Sequence, residues 1–202
     1  MVRRSAPTTS NPGPTRTENG ASPTTMTTGF TAVTPQRAVQ IMRAWAFHSW
    51  PMTVQDGIDV YTSLGFSPHP QEPQLFTSDT SPDEADSFFT SEGDQIDSVH
   101  ASLSNIIPEA LGVAFRSQVR AAYTGFVAAF TEVLGSPQMT KEKGEVFSSQ
   151  WFLSNGVGVR VGGNDGLIFL SFESPEMAGI HQDDLRRGIV DYSPANDPLL
   201  EG

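Results

Sequence analysis

Residues 146–173, VFSSQWFLSNGVGVRVGGNDGLIFLSFE, decide the fold class. Residues 146–153 read as a strand, and Asn155-Gly156 signals a two-residue hairpin, because a type I′ turn needs positive φ at both central positions. Val157, Val159 and Val161 alternate with Gly158 and Arg160, which predicts one buried face and one wet face. Gly162-Gly163-Asn164-Asp165-Gly166 then turns the chain into a third strand over 167–173. This run holds one carboxylate, so turn geometry explains it better than calcium binding does. Strands joined by hairpins make an antiparallel meander.

Working upstream, Pro108 opens a long helix on which Leu111, Phe115, Val119, Ala122, Phe126, Phe130 and Val133 recur at spacings of three and four, until Gly135-Ser136-Pro137 stops it. One wide apolar face is expected to lie on the sheet. A charged turn at 141–143 joins this helix to the meander. Further back, residues 74–78, 87–91 and 95–103 read as strands. The last is the best patterned, with Val99, Ala101 and Leu103 on one face and Ser98, His100 and Ser102 on the other.

Pro68, Pro70 and Pro73 separate these strands from an αα-hairpin. Thr34-Pro35 is a hydroxyl cap followed by proline at the first helical position, and Ala38, Ile41, Met42 and Trp45 form the stripe that ends near His48. Pro51 precedes a second helix, where Thr53 and Asp56 approximate a capping box; Val54, Ile58, Tyr61 and Leu64 line its face, and Gly65 ends it in a left-handed conformation. The order α-α-β-β-β-α-β-β-β predicts an α+β fold, an αα-hairpin followed by an antiparallel sheet with one long helix packed on it.

Residues 1–33 are Thr, Ser, Pro, Gly and Asn with little that is apolar, so they are expected to form a disordered leader. A single domain should occupy 34–180, with a short helix or loop after Ser174-Pro175 and an acidic, partly disordered tail over 181–202. Met26 is an alternative translation start. Met1-Val2-Arg3-Arg4 carries the charge of a signal peptide, but the polar, Pro-rich stretch that follows is no apolar h-region. The expectation is a cytoplasmic protein, and leaderless export would leave no such mark.

Composition narrows the chemistry. The absence of cysteine excludes disulfides, thiolate metal sites and thiol nucleophiles. Net charge is −11, and residues 34–202 alone hold nine basic and twenty-two acidic side chains. Such a domain repels phosphate backbones and anionic membrane surfaces, so neither nucleic acid nor membrane is an expected partner. No run approaches the roughly 18 apolar residues of a membrane span.

His48, His69, His100 and His181 stand too far apart for H-x-x-x-H metal spacing. His100, beside Ser98 and Ser102, reads as a polar surface or interface residue or, alternatively, as a catalytic base. No Gly-x-Ser-x-Gly elbow exists, and Gly156-Val157-Gly158 is a lone G-x-G that opens a strand instead of a helix. No cofactor, metal or catalytic residue is therefore assigned.

The feature above background is acidic. Glu72, Asp79, Asp83, Glu84, Asp86, Glu92, Asp94 and Asp97 fall within 72–97, with no Lys or Arg among them. They read as a solvated face, as a docking surface for a basic protein partner, or as a cation site whose positions do not follow an EF-hand loop. The docking reading makes Asp79, Asp83, Glu84, Asp86, Glu92, Asp94 and Asp97 candidate partner-binding residues. Trp45, Phe47 and Trp50 crowd the end of the first helix. They either fold around Pro51 to bury the turn or supply aromatic anchors, which adds Trp45 and Trp50 to the candidates.

The run Phe47-His48-Ser49-Trp50-Pro51-Met52-Thr53, then Leu64-Gly65-Phe66, the helix end Phe130-Thr131-Glu132-Val133-Leu134-Gly135-Ser136-Pro137, Trp151-Phe152-Leu153 and the strand over 157–161 resembles an uncharacterised family of small actinobacterial proteins, over roughly 34–175. Its layout is similar to immunity proteins of polymorphic toxin systems and to small secretion-system chaperones. The resemblance implies a single α+β domain that acts by binding and supplies no catalytic residues. The expected function is thus a non-enzymatic protein-binding domain of immunity type acting on a basic toxin. A secretion-chaperone-like adaptor and a small hydrolase using His100 are the alternatives.

Overall fold

The computed structural model of the chain describes residues 29–188. The αα-hairpin forms as expected. α1 (Pro35–Ala46) is capped by the Thr34 hydroxyl, which accepts from the Arg37 N–H, and buries Ala38, Ile41, Met42 and Trp45. α2 (Val54–Ser63) has a complete capping box between Thr53 and Asp56. Gly65 takes a φ of 85° just beyond it, a conformation that costs glycine nothing.

Eight antiparallel strands follow: β1 (Ser67–Pro68), β2 (Leu75–Ser78), β3 (Ser81–Glu92), β4 (Gln95–Ser102), β5 (Met139–Lys143), β6 (Val146–Phe152), β7 (Gly158–Asn164) and β8 (Leu167–Glu173). They make one sheet in the order β1-β2-β3-β4-β8-β7-β6-β5. Each half is a meander running inward from an edge, and the halves meet where β4 pairs with β8. α3 (Glu109–Leu134) connects them, and α4 (Pro175–Arg186) closes the described chain. The fold is α+β, as the element order predicts.

Alternation along the strands separates two faces. Phe89, Val99, Phe172, Val159 and Trp151 lie side by side in register, and this face receives α1, α2 and α3. Trp45 of α1 approaches Phe172 at 6.2 Å between ring centroids, and Phe130 of α3 meets Trp151 edge-on at 6.0 Å. Tyr61 of α2 stacks on Phe76 at 4.2 Å. These rings are fully buried and form the centre of the core.

Several expectations change. Residues 141–143 are not a turn but part of β5, whose side chains are mostly exposed; charge suits an edge strand because it discourages pairing with another chain. Asn155 does not take positive φ, and only Gly156 does, at 89°. The Asn155 amide instead donates to Ala46 O at 2.9 Å, and its Oδ1 accepts from the Val157 N–H, so the turn is fixed by side-chain bonds and not by a type I′ pair. The second face of β7 is not wet: Gly158 and Gly162 are buried, since Ala178 of α4 packs over Gly158 and the Phe169 ring over Gly162. At the first turn of α3 Gly112 meets Asp165 at the β7–β8 turn and Leu111 is left exposed, while Val119, Phe126 and Phe130 are buried.

The domain limits shift as well. Ala32 bridges Ser104, the Thr31 N–H donates to Asn105 Oδ1 and the Asn105 amide donates to Gly29 O. Buried Asn105 needs these partners, so residues 29–33 belong to the domain. The rest of the expected leader lies outside the described residues. α4 runs through Arg186, taking in the first part of the expected tail; 189–202 again lie outside the described residues.

Candidate functional site: the open face of the sheet

The face opposite the helical layer carries α4 over one end and is otherwise open. Register places Phe88, His100, Ser171, Arg160 and Gln150 in one row across β3, β4, β8, β7 and β6, and Ser102, Phe169, Gly162 and Ser148 in the next. The sequence alternation of β4 puts His100 here, as expected, but its neighbours were not legible. The His100 ring stacks between Phe88, 4.9 Å away, and Phe169, 4.6 Å away. Arg160 extends the ladder, its guanidinium 5.7 Å from the centre of the Phe169 ring. Burial, with Arg160 nearby, lowers the His100 pKa to about 4, so the imidazole is neutral near pH 7. A base this weak is poorly matched to proton abstraction at that pH.

The acidic candidates divide into two groups along β3. Asp79, Asp83 and Glu84 lie at the β2–β3 end, and Glu92 and Asp94 at the β3–β4 turn; the eight residue steps from Glu84 to Glu92 correspond to about 26 Å of strand. They are therefore not one continuous patch. Between the two groups β3 exposes Phe88, 37% accessible. Asp79 is engaged by Arg37 Nε at 3.1 Å. Asp86 is half-buried and accepts from Ser78 at 2.6 Å and Ser87 at 3.0 Å. Desolvation raises its pKa against the lowering effect of these hydroxyls. Asp97 is half-buried beside α4, its carbonyl accepting from the Ser174 N–H. Asp83, Glu84, Glu92 and Asp94 remain exposed.

The tryptophans are not surface anchors of equal standing. Trp45 is fully buried among Tyr61 and Phe172, so it belongs to the core, as the fold-around-Pro51 alternative has it. Trp50 is half-buried, with its indole N–H donating to Trp45 O at 3.3 Å.

Two polar clusters went unrecognised in the sequence. His181 Nδ1 lies 3.2 Å from both carboxylate oxygens of Glu173 and 3.3 Å from the Gln150 amide, which ties α4 to β8 and β6. On the helical side, Arg116 Nε and Nη2 both sit 2.6 Å from Asp165 Oδ2, and Arg120 Nη1 sits 2.6 Å from Glu142. A cleft of about 610 Å³ lies beside these arginines, between α3 and the β5–β6 turn. Its cations already hold carboxylates, which makes the cluster a clamp between elements. The i, i+4 pair Arg116 and Arg120, on a helix with few acids, is the signal that would have found it. Among the described residues no three His, Asp or Glu side chains gather as a metal-ligand set.

The architecture and the site define a two-layer α+β domain with a helical layer on one side of the sheet and an aromatic, cation-bearing face on the other. The chain belongs to the family described as family of unknown function (DUF6301), whose model matches residues 36–174. No curated protein and no solved structure matches it.

Proposed function

We propose that this chain is a non-enzymatic protein-binding domain that holds a basic partner along β3. The observation that carries this reading is the exposure of Phe88, stacked on His100, midway between the acidic ends Asp83–Glu84 and Glu92–Asp94. An aromatic anchor supplies affinity where water is excluded, and flanking carboxylates steer a cationic partner and fix its direction. Neutralising a basic toxin, in the manner of an immunity protein, is the role this arrangement suits best. Affinity capture with the purified domain tests it. A cationic protein is expected, released as salt rises from about 0.1 to about 1 M and the screening length falls from about 10 to about 3 Å. Release by Phe88→Ala and by Asp83→Lys with Glu84→Lys is expected too. Binding indifferent to salt and to these changes would exclude the β3 reading.

A second reading, an apolar adaptor, is favoured by the start of α3, where Val113 is 74% exposed and Ile106 and Leu111 are also bare. It predicts salt-insensitive binding that Val113→Glu abolishes and Phe88→Ala leaves intact.

A further inference from the structure

We infer that the partner seated along β3 is a basic protein that also presents one carboxylate to Arg160, three strands away from its contact with Phe88. The inference rests on the β3 reading of the partner's seat and adds the partner's charge pattern to it. Arg37 and Arg120, the other half-buried arginines, each bind a carboxylate, Asp79 and Glu142. Arg160 is half-buried too, but its polar contact among the described residues is the Ser171 hydroxyl, 3.4 Å from Nε. Glu173 stands diagonally across the β7–β8 ladder from it. His181 engages that carboxylate at 3.2 Å, and the Arg160 guanidinium lies over Phe169 instead. A guanidinium withdrawn from water calls for an anion.

The place of Arg160 turns that need into a pattern. Phe88, His100, Ser171 and Arg160 stand in one row across β3, β4, β8 and β7, so Phe88 and Arg160 are three strand spacings apart, about 14 Å. The His100 ring stacks on Phe88 and the Phe169 ring on His100, which gives a partner lying on Phe88 a continuous surface up to the guanidinium. His100 is neutral near pH 7 and puts no second charge in that path. The exposed carboxylates of Asp83, Glu84, Glu92 and Asp94 lie at the two ends of β3. The face is thus negative at both ends of one strand and positive three strands to the side. A partner surface that is cationic throughout would cover Arg160 with like charge, so this arginine discriminates among basic partners. A carboxylate on the partner, about 14 Å from the group that covers Phe88, removes that penalty and gains a charge-assisted hydrogen bond.

Two synthetic peptides test this on the full-length chain. In acetyl-Trp-Ser-Gly-Ser-Asp-amide, extended, the carboxylate stands four residue steps from the indole, about 13 Å; the same peptide with Asn in place of Asp differs only in that charge. Dissociation constants are read from amide shifts as each peptide is titrated into isotope-labelled protein. The Asp peptide is expected to bind about tenfold more tightly, the effect of one charge-assisted hydrogen bond, with Phe88, Phe169, Arg160 and Ser171 shifting most. Arg160→Gln should close the gap, and Arg160→Lys, which keeps the charge but not the fork, should retain part of it. Phe88→Ala should weaken both peptides alike and leave the gap. Equal affinities of the two peptides for the parent chain overturn the inference whatever any variant does to folding, and so does a gap that survives Arg160→Gln. In either case a weakening by Phe88→Ala leaves the β3 reading standing. Failure of both peptides to bind overturns the inference too. Phe88→Ala without effect on either peptide sinks the β3 reading, and the inference with it.

Discussion

The hydroxyl of Tyr61 lies 2.8 Å from the carbonyl oxygen of His100 and 3.0 Å from that of Phe88. It reaches these atoms from the helical side, while the His100 and Phe88 rings stack on the opposite side. One buried phenol thus links α2 to the two strands that present the open face. Its single proton is shared between two acceptors.

Tyr61→Phe keeps the ring stack on Phe76 but leaves both carbonyls without that donor. A cost of about 1–2 kcal/mol in unfolding free energy is expected, read from urea denaturation, with the amide signals of Phe88 and His100 moving most. Burial also raises the Tyr61 pKa well above its ordinary value. The phenol should therefore stay protonated past pH 10 or so, where exposed tyrosines ionise, until the domain unfolds. Ionisation of all three tyrosines together in the folded protein would contradict this.

His100 sets a pH dependence whose sign is fixed. Its folded pKa of about 4 lies below the ordinary value of 6.5, so between these limits the unfolded chain binds more protons than the folded one. Stability then rises with pH across this window. On acidification the contribution is lost from about pH 6.5 down to about pH 4, and amounts to an order of 3 kcal/mol. Asp86, with its raised pKa, acts in the opposite sense, gaining stability as it protonates at the acid end. Denaturant unfolding of the parent and of His100→Gln across pH 4–7 checks the assignment: the slope should flatten in the variant, and an unchanged slope would assign it to other groups.

The sequence made legible what depends on short-range chemistry. Thr34-Pro35, Thr53 with Asp56, and Gly65 each act through bonds within one turn, and all three mark their helices where expected. The meander over 146–173 was legible because its period and turn residues agree. What failed was what depends on distant neighbours. Gly158 and Gly162 read as a wet face because no local pattern announces that α4 and Phe169 cover them. The β5 lysines look like a turn because an edge strand and a loop share the same exposed, charged composition. The layout of the candidate site was illegible for the same reason: the acids were found as a run in sequence, but β3 carries the run across the sheet and parts its ends. Phe88, Phe169 and Arg160 come from three strands and meet only through register.

The Asp165 clamp predicts a stability effect from a residue that sequence assigned to a turn. Its side chain is 7% exposed, and Oδ1 has no hydrogen bond, with Arg120 Nε 3.9 Å away. The Arg116 guanidinium has its pKa raised, first by the hydrogen bond to Asp165 and then by the charge of the carboxylate. Asp165→Ala removes the carboxylate that joins α3 to the β7–β8 turn, and a loss of stability is expected, limited by the exposure of Arg116, whose freed guanidinium can turn to water. The double variant Asp165→Leu with Arg116→Met removes both partners and should cost less than the single change. Denaturation of the three proteins under one condition measures the difference, and a double variant weaker than the single would show that packing, not charge, dominates.

Two glycines separate rigid from yielding contacts. An added Cβ at Gly163 would lie 2.1 Å from the backbone oxygen of Leu167. That atom belongs to β8, paired directly across from β7, so relief requires moving the ladder itself. Gly163→Ala is expected to cost about 3 kcal/mol or more, at the upper end for overpacking. At Gly57 the same atom would meet Ile96 Cδ1 at 2.3 Å and the Phe89 ring at 3.2 Å. The first of these is the tip of a side chain that can change rotamer. Alanine also favours the α2 helix over glycine by about 1 kcal/mol, which offsets most of the crowding. Gly57→Ala should therefore fold with stability within about 1 kcal/mol of the parent, while Gly163→Ala should lose the dispersed amide spectrum or unfold at much lower urea. Equal effects at the two positions would mean that the β7–β8 turn can open to admit a methyl group. The Asp165 clamp at that turn argues against such opening, since Arg116 holds it to α3.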